Sequence, residues 1–193
     1  QTDDGRFALI FRDKKPSEDQ NACLSLATNL AIAKSLMAHQ TGLFRVMPPP
    51  DVVAITRLRE TAHAFGLNWP GTLALSDYVR TLDGQDARQS AFMLAIRRAG
   101  EKAGYAQFDP DHAPYHAAIA APYVHATAPL RRLADRYVNR TMLALARGQA
   151  IPDAVTTAFQ ALPEVMARAD STAGRIDRAV IDLAEAVMLD GQE

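Results

Sequence analysis

Proline, glycine and capping residues cut this chain into long runs of helical spacing and leave only three short extended pieces between them. Three isolated strands make a poor sheet by themselves. The expected fold class is therefore α+β, mainly helical with a few short strands. The first extended piece is Arg6 to Arg12, ended by Lys14-Lys15-Pro16. A chain that opens on a strand this early, with no Met and no leader, reads as a piece of something longer. Ser17 with Gln20 three residues on forms a capping-box pattern. A helix is predicted from about 18 to 39, with Leu24, Ala27, Ala31 and Leu36 as its apolar stripe and a stop near Gly42. Leu43–Met47 is the second extended piece, closed by Pro48-Pro49-Pro50.

Asp51 caps the next helix, whose buried stripe is Ile55, Leu58, Ala62 and Phe65 and whose stop is Gly66. Ser76 is predicted to cap a short helix to about Leu82. Asp86 caps another, with Phe92, Ala95, Ile96 and Ala99 on one face and an end near Gly104. Residues 105–114 read as a loop and 115–124 as the third extended piece. A helix is expected from Pro129 to about Arg147, with Gly148 past its end. Pro163 opens the last long helix, striped by Val165, Ala169, Thr172, Ile176, Val180, Leu183 and Val187 and stopped by Gly191. No fixed repeat and no long linker divides the chain, so 1–193 is expected to be one unit.

Composition narrows the function classes. Hydrophobic residues are 48% and charged residues 22%, which excludes a disordered or fibrous chain. No run nears the ~20 apolar residues that a membrane-spanning helix needs. The start, Gln1-Thr2-Asp3-Asp4-Gly5, has neither the basic nor the apolar part of a signal peptide. Cys23 alone rules out a disulfide framework and a cysteine zinc site. Cytoplasmic residence is expected, with no membrane partner. The net charge of -1 argues against a wholly basic nucleic-acid coat. Yet 17 of the 21 basic residues are Arg. A GC-rich genome would cause that bias, and Arg is also suited to bidentate phosphate contacts.

The stretch His125-Ala126-Thr127-Ala128-Pro129-Leu130-Arg131-Arg132-Leu133-Ala134-Asp135 concentrates the chemistry. Pro129 fits a first helical position. Arg131 then lies in the first turn, beside free backbone N–H groups and the positive end of the dipole, which calls for an anion. Asp135 stands four residues from Arg131 and can pair with it. Arg132, Arg136 and Arg140 share one face, beside an apolar stripe of Leu130, Leu133, Tyr137 and Thr141. A solvated basic face with local ion pairs accounts for the same spacing.

This stretch resembles the signature of the RNB catalytic domain of the ribonuclease II/ribonuclease R family, roughly H-F-T-S-P-I-R-R-Y-x-D-x-x-x-H-R. The His, Thr, Pro, both consecutive Arg, the Asp and the last Arg are kept. Ala126, Ala128, Leu133 and Asn139 depart from it. Leu43 to Asp51 is similar to the family's Y-R-V-H-E-P-P-D segment. The helix through Asn21 and Ala27 stands in the place of the E-E-x-M-x-x-A-N helix, without its carboxylates. Ile176-Asp177-Arg178-Ala179-Val180 stands where the family has A-E-R-x-V.

The resemblance implies a partial RNB domain, its C-terminal part, from a 3′→5′ exoribonuclease. Such enzymes hydrolyse single-stranded RNA to nucleoside 5′-monophosphates with two divalent metals held by an aspartate cluster. It implies Arg131 as the catalytic residue on the scissile phosphate. It also implies RNA contacts from Thr127, Arg132, Asp177 and Arg178, and Tyr123, extended beside the Arg block, is open to stacking on a base. The D-x-x-x-x-x-D-D-type aspartate motif is missing from this sequence, so Mg²⁺ is expected only in the complete enzyme, with ligands outside this chain. The implied partners are single-stranded RNA and the missing N-terminal half of the domain, in the same parent chain or a separate one. A non-catalytic RNA-binding module that keeps the RNB scaffold is the alternative.

Other candidates carry less. His112, His116 and His125 with Asp109 and Asp111 match no compact zinc spacing. Cys23 reads as a buried, inert thiol. Ser25 and Thr28 have no triad context. Trp69, Tyr78 and Phe92 can stack on bases, with core packing the better reading for Phe92, and Met47 and Met166 read as core.

Overall fold

A computed structural model of the chain describes residues 13–100 and 102–189. The predicted strand at Arg6–Arg12 and the stop at Gly191 lie outside them. Six helices and two strands follow in the order α1 (Pro16–Ala38), β1 (Leu43–Val46), α2 (Val52–Ala64), α3 (Leu75–Val79), α4 (Ala87–Ala99), β2 (Gly104–Gln107), α5 (Leu133–Ala146) and α6 (Asp153–Leu189). The mainly helical α+β expectation holds.

Local signals set the starts of α2 and α4 as read. Asp51 and Asp86 accept the N–H groups of Ala54 and Gln89, as N-caps should. Ile55, Leu58, Ala62 and Phe65 pack with Phe92, Ala95, Ile96 and Ala99 in a small core of their own. Trp69 and Tyr78 stack within it at 5.2 Å, so neither ring is offered to a base. Arg59 ties the α2–α3 connection together. Its guanidinium donates to the carbonyls of Trp69, Pro70, Gly71 and Leu73 and lies 4.1 Å from the indole ring centre.

Several boundaries moved. Helix α1 starts at Pro16, with Glu18 accepting the Lys15 N–H, so Ser17 is not its cap. Its buried residues are Asn29, Ala33 and Leu36. Leu24, Ala27 and Ala31 are exposed, and so is Cys23, which corrects the buried-thiol reading. The chain leaves α1 through Gly42 at φ +117, where a Cβ would stand 2.7 Å from the Leu36 side chain. Helix α3 begins after Ala74, not Ser76, and stops at Val79. Helix α4 ends at Ala99, well before Gly104.

The predicted loop at 105–114 contains a strand. β2 pairs antiparallel with β1, Phe44 facing Ala106 and Arg45 facing Tyr105. This pairing joins segments far apart in sequence, so no local signal announced it. Residues 115–124 are extended only in part: 117–120 form a turn with Ala120 at φ 59, and His116 bridges Met47 and Ala121.

The main core is Leu36, Phe44, Val124, Val138, Val155, Phe159 and their neighbours, between the sheet, α1, α5 and α6. Helix α6 begins at Asp153, after Pro152, and carries Pro163 inside it instead of at its start. Val155, Phe159, Leu162 and Met166 are buried. They belong to a row with alternating steps of four and three that continues through Ala169, Ala173, Ile176, Val180, Leu183 and Val187. In that second half the side chains are bare, with Ile176 at 59% and Leu183 at 65% exposure. The predicted stripe of α6 is therefore exposed among the described residues. No helix among these residues is long and apolar enough to cross a membrane.

The Arg59 network generates a stability prediction. Arg59→Ala should lower the unfolding free energy by roughly 2 kcal/mol, since charged hydrogen bonds and the ring contact go together. The exposed neighbour Arg57, as Arg57→Ala, should stay within about 0.5 kcal/mol. Urea unfolding of both variants checks the difference.

Candidate nucleic-acid interface

The Arg-Arg block does not start a helix at Pro129. The N–H groups of Arg131 and Arg132 both point back to the Ala128 carbonyl, closing a single turn. Arg132 then takes extended backbone (φ -125, ψ 119) and α5 begins at Leu133. The cause is Asp135. Its carboxylate, fully buried, accepts the Ala128 N–H at 2.7 Å and two guanidinium bonds from Arg132 at 2.9 Å each. A carboxylate in the first turn also suits the helix dipole.

Two expectations are corrected by this arrangement. Asp135 pairs with Arg132, not Arg131. The anion at this helix end is the chain's own carboxylate, and Arg131 precedes the helix in the exposed turn. Leu130, predicted in the apolar stripe, is 93% exposed. Arg136 folds back to the Pro129 carbonyl, and Arg140 lies 5.9 Å from the Tyr137 ring centre. The consecutive arginines thus divide: Arg132 is fixed inward, while the Arg131 guanidinium makes no hydrogen bond or ion pair among the described residues.

The segment before the turn is held as firmly. Asn29 of α1, itself buried, accepts the Ala126 N–H at 3.0 Å and donates to the Tyr123 hydroxyl at 3.0 Å. Asn139 of α5 donates to the Ala126 carbonyl at 3.1 Å. Thr127 sits between these anchored positions with its side chain outward.

A column of rings runs from here to β2. His116, Tyr123, His125 and Tyr105 meet edge to face in sequence, at 5.6, 5.5 and 5.9 Å. The Tyr105 hydroxyl and His125 Nδ1 are 2.9 Å apart. Arg45 covers the other side of Tyr105 at 4.6 Å and bonds Asp170 of α6 at 3.2 Å. Burial first, and then the Arg132 and Arg45 charges, push the His125 imidazole down to about 4. Burial lowers His116 as well and raises the Tyr105 phenol. All three groups are uncharged at neutral pH.

Beside this column a cavity of about 560 Å³ opens between β2 and α6. Arg45, Lys102, Tyr105, Asp170, Gly174 and Asp177 are among its walls. Asp177 therefore lies near Arg45 and Tyr105, whereas Arg178 is exposed and does not line the cavity. Of the predicted site residues, the fold gathers Tyr123, Thr127, Arg131 and Arg132 on one segment and its following turn, and puts Asp177 across the cavity. Arg45, Tyr105 and Asn29 carry no site role in the sequence reading, and Asn139 stands there only as a departure from the family pattern. Asn29 lies mid-helix in a run of small and apolar residues, which was its only signal.

His112 is exposed and bonds Asp109, while His116 and His125 belong to the ring column. Among the described residues no group of three or more His, Cys, Asp or Glu could hold a metal ion. The described residues alone do not fit the divalent-metal site that the family resemblance implies.

Comparison with known proteins agrees with the sequence resemblance. The sequence pattern of the RNB domain matches residues 10–148. Ribonuclease R of Escherichia coli (strain K12) is 30% identical over 125 residues, covering 62% of this chain and 15% of that protein. Exosome complex exonuclease RRP44 homolog A of Arabidopsis thaliana is 30% identical over 154 residues, covering 76% of this chain and 16% of that protein. The chain thus spans about 15% of the curated relatives it matches. Mycoplasma genitalium RNase R, solved in complex with ribose-methylated single-stranded RNA, superposes with a TM-score of 0.77 at 20% identity. The match covers 95% of this chain and 30% of that one. Yeast Ssd1, a pseudonuclease, superposes with a TM-score of 0.62 at 22% identity, over 74% of this chain and 18% of that one.

Two predictions follow from the buried groups. Asp135→Asn strands the Arg132 charge and should cost about 3 kcal/mol in urea unfolding. The double replacement Asp135→Leu with Arg132→Met should recover most of it. The unfolded chain protonates His125 near pH 6.5 and the folded chain only near 4. Between those values the unfolded state binds the extra proton, so stability falls as pH drops through that window. His125→Gln should flatten the fall in Tm across it.

Proposed function

The chain belongs to the RNB domain family, and on that premise we propose that it is part of a 3′→5′ exoribonuclease acting on single-stranded RNA. In this reading the complete enzyme releases nucleoside 5′-monophosphates and works in the cytoplasm. The missing N-terminal half of the domain, in the same parent chain or another, completes the site. Mg²⁺ belongs to that complete enzyme, with its ligands outside the described residues.

This chain's part is to hold and orient RNA. Arg131 is the catalytic residue, placed on the scissile phosphate, where an unpaired guanidinium stabilises charge developing on the phosphoryl oxygens. Thr127 offers a hydroxyl to a phosphate or ribose oxygen. Arg132 contributes positive potential while bound to Asp135. Tyr123 supplies a ring edge for a base, and Asp177 and Arg178 contact RNA from α6. The observation that carries the reading is the division of the two arginines, one built into the fold and one presented without a partner. A guanidinium kept free beside a rigid turn is a preorganised anion contact.

A second reading has its own support. The fold is also similar to that of a pseudonuclease. A non-catalytic RNA-binding module would keep the same Arg131 contact.

In the complete parent with Mg²⁺, 5′-labelled single-stranded RNA should shorten from its 3′ end, and the 193-residue chain alone should not degrade it. Arg131→Ala in the parent should lower kcat by roughly 10²-fold with a smaller change in KM, because the contact tightens in the transition state. An unchanged kcat makes Arg131 a surface charge. RNA binding without any shortening by the parent selects the second reading.

A further inference from the structure

We propose that Asn29 and Asn139 are positioning residues that set Thr127 for its contact with RNA, an inference that rests on the RNA reading of this segment. Thr127 is exposed between buried Ala126 and half-buried Ala128, both anchored through their backbones. On its N-terminal side both polar groups of the Ala126 backbone are engaged. Asn29 takes the N–H at 3.0 Å and Asn139 takes the carbonyl at 3.1 Å. On its C-terminal side Asp135 takes the Ala128 N–H at 2.7 Å. The Thr127 hydroxyl itself has no partner among the described residues.

The anchors come from separate helices. Asn29 lies on α1 and is 1% exposed, with both ends of its amide in use. Asn139 lies one turn after Asp135 on α5, so a single helix face holds the chain on both sides of Thr127. Amides at these places, one buried and one half-buried, are more than α1 and α5 need for packing, which apolar residues would supply. What they add is a fixed backbone on both sides of one exposed hydroxyl-bearing residue. Fixing a donor before its ligand arrives removes the ordering cost from binding. Asn139 is also where this chain departs from the H-F-T-S-P-I-R-R-Y-x-D-x-x-x-H-R pattern, which has His there. An imidazole N–H can make the same donation to a carbonyl.

The test measures the affinity of the 193-residue chain for a 5′-fluorescein-labelled single-stranded oligoadenylate by anisotropy. Asn139→Asp keeps the size and loses the donor, and Thr127→Val keeps the shape and loses the hydroxyl. Each should weaken binding by roughly 5-fold, about the worth of one hydrogen bond. In the Thr127→Val background, Asn139→Asp should cost nothing further. Asn139→His should restore the affinity. Asn29→Ser, measured against the same background, repeats the cycle if Asn139→Asp does not fold. Equal losses in both backgrounds, or no loss in either, overturn the positioning role and leave the RNA reading standing. No binding by the unaltered chain overturns both.

Discussion

The buried carboxylate of Asp135 is the contact on which the candidate site depends. It joins a backbone N–H, a guanidinium and a helix start in one place. Two buried opposite charges recover little net stability, since desolvation consumes much of their attraction. Their effect here is one of shape. By holding Ala128 and Arg132, Asp135 ends the turn begun at Pro129 and delays α5 until Leu133. Arg131 then has no carboxylate to face and remains in the exposed turn. The phosphate contact proposed for Arg131 rests on that division and not on the density of arginines.

Around this point the polar contacts form a connected set. Asn29 and Asn139 hold Ala126, Tyr123 leans on Asn29, and the ring column passes through His125 to Tyr105, Arg45 and Asp170. Because His125 and Tyr105 are uncharged at neutral pH, the column brings α1, β2 and α6 together without a buried net charge. The positive groups near it are Arg45 and Arg132, and each already has a carboxylate. Of the two consecutive arginines, only Arg131 is left with its charge unpaired among the described residues.

What the sequence made legible depended on how local each signal was. Asp51 and Asp86 cap helices as read, and the stripes of α2 and α4 point inward, because spacing and caps act within a few residues. Pro129 and Pro163 both misled. A proline can open a helix, but tertiary contacts decided the matter: Asp135 stopped the turn after Pro129, and the core contacts of Val155 and Phe159 began α6 ten residues before Pro163. β2 was unreadable because its partner lies some sixty positions upstream in the chain. The segment from Tyr123 to Arg132 was found by its motif, while Asn29, Tyr105 and Arg45 were missed because their roles arise only when distant elements meet. Helix α1 shows the same limit from the other side, since three of its four predicted stripe residues, Leu24, Ala27 and Ala31, face water while Leu36 and the polar Asn29 face in.

Helix α6 carries one row of apolar side chains from Val155 to Val187, sealed into the core at one end and hydrated at the other. The hydrated end has a calorimetric consequence. Water around Ile176, Val180, Leu183 and Val187 holds heat capacity that the sealed end has already released. Any body that comes to cover this row will lower the heat capacity of the system, and its binding enthalpy will become more favourable as temperature rises. That temperature slope is a signature separate from the salt-dependent one expected of phosphate contacts. The two faces of this chain can therefore be told apart by a thermometer and a salt series, with no structural probe.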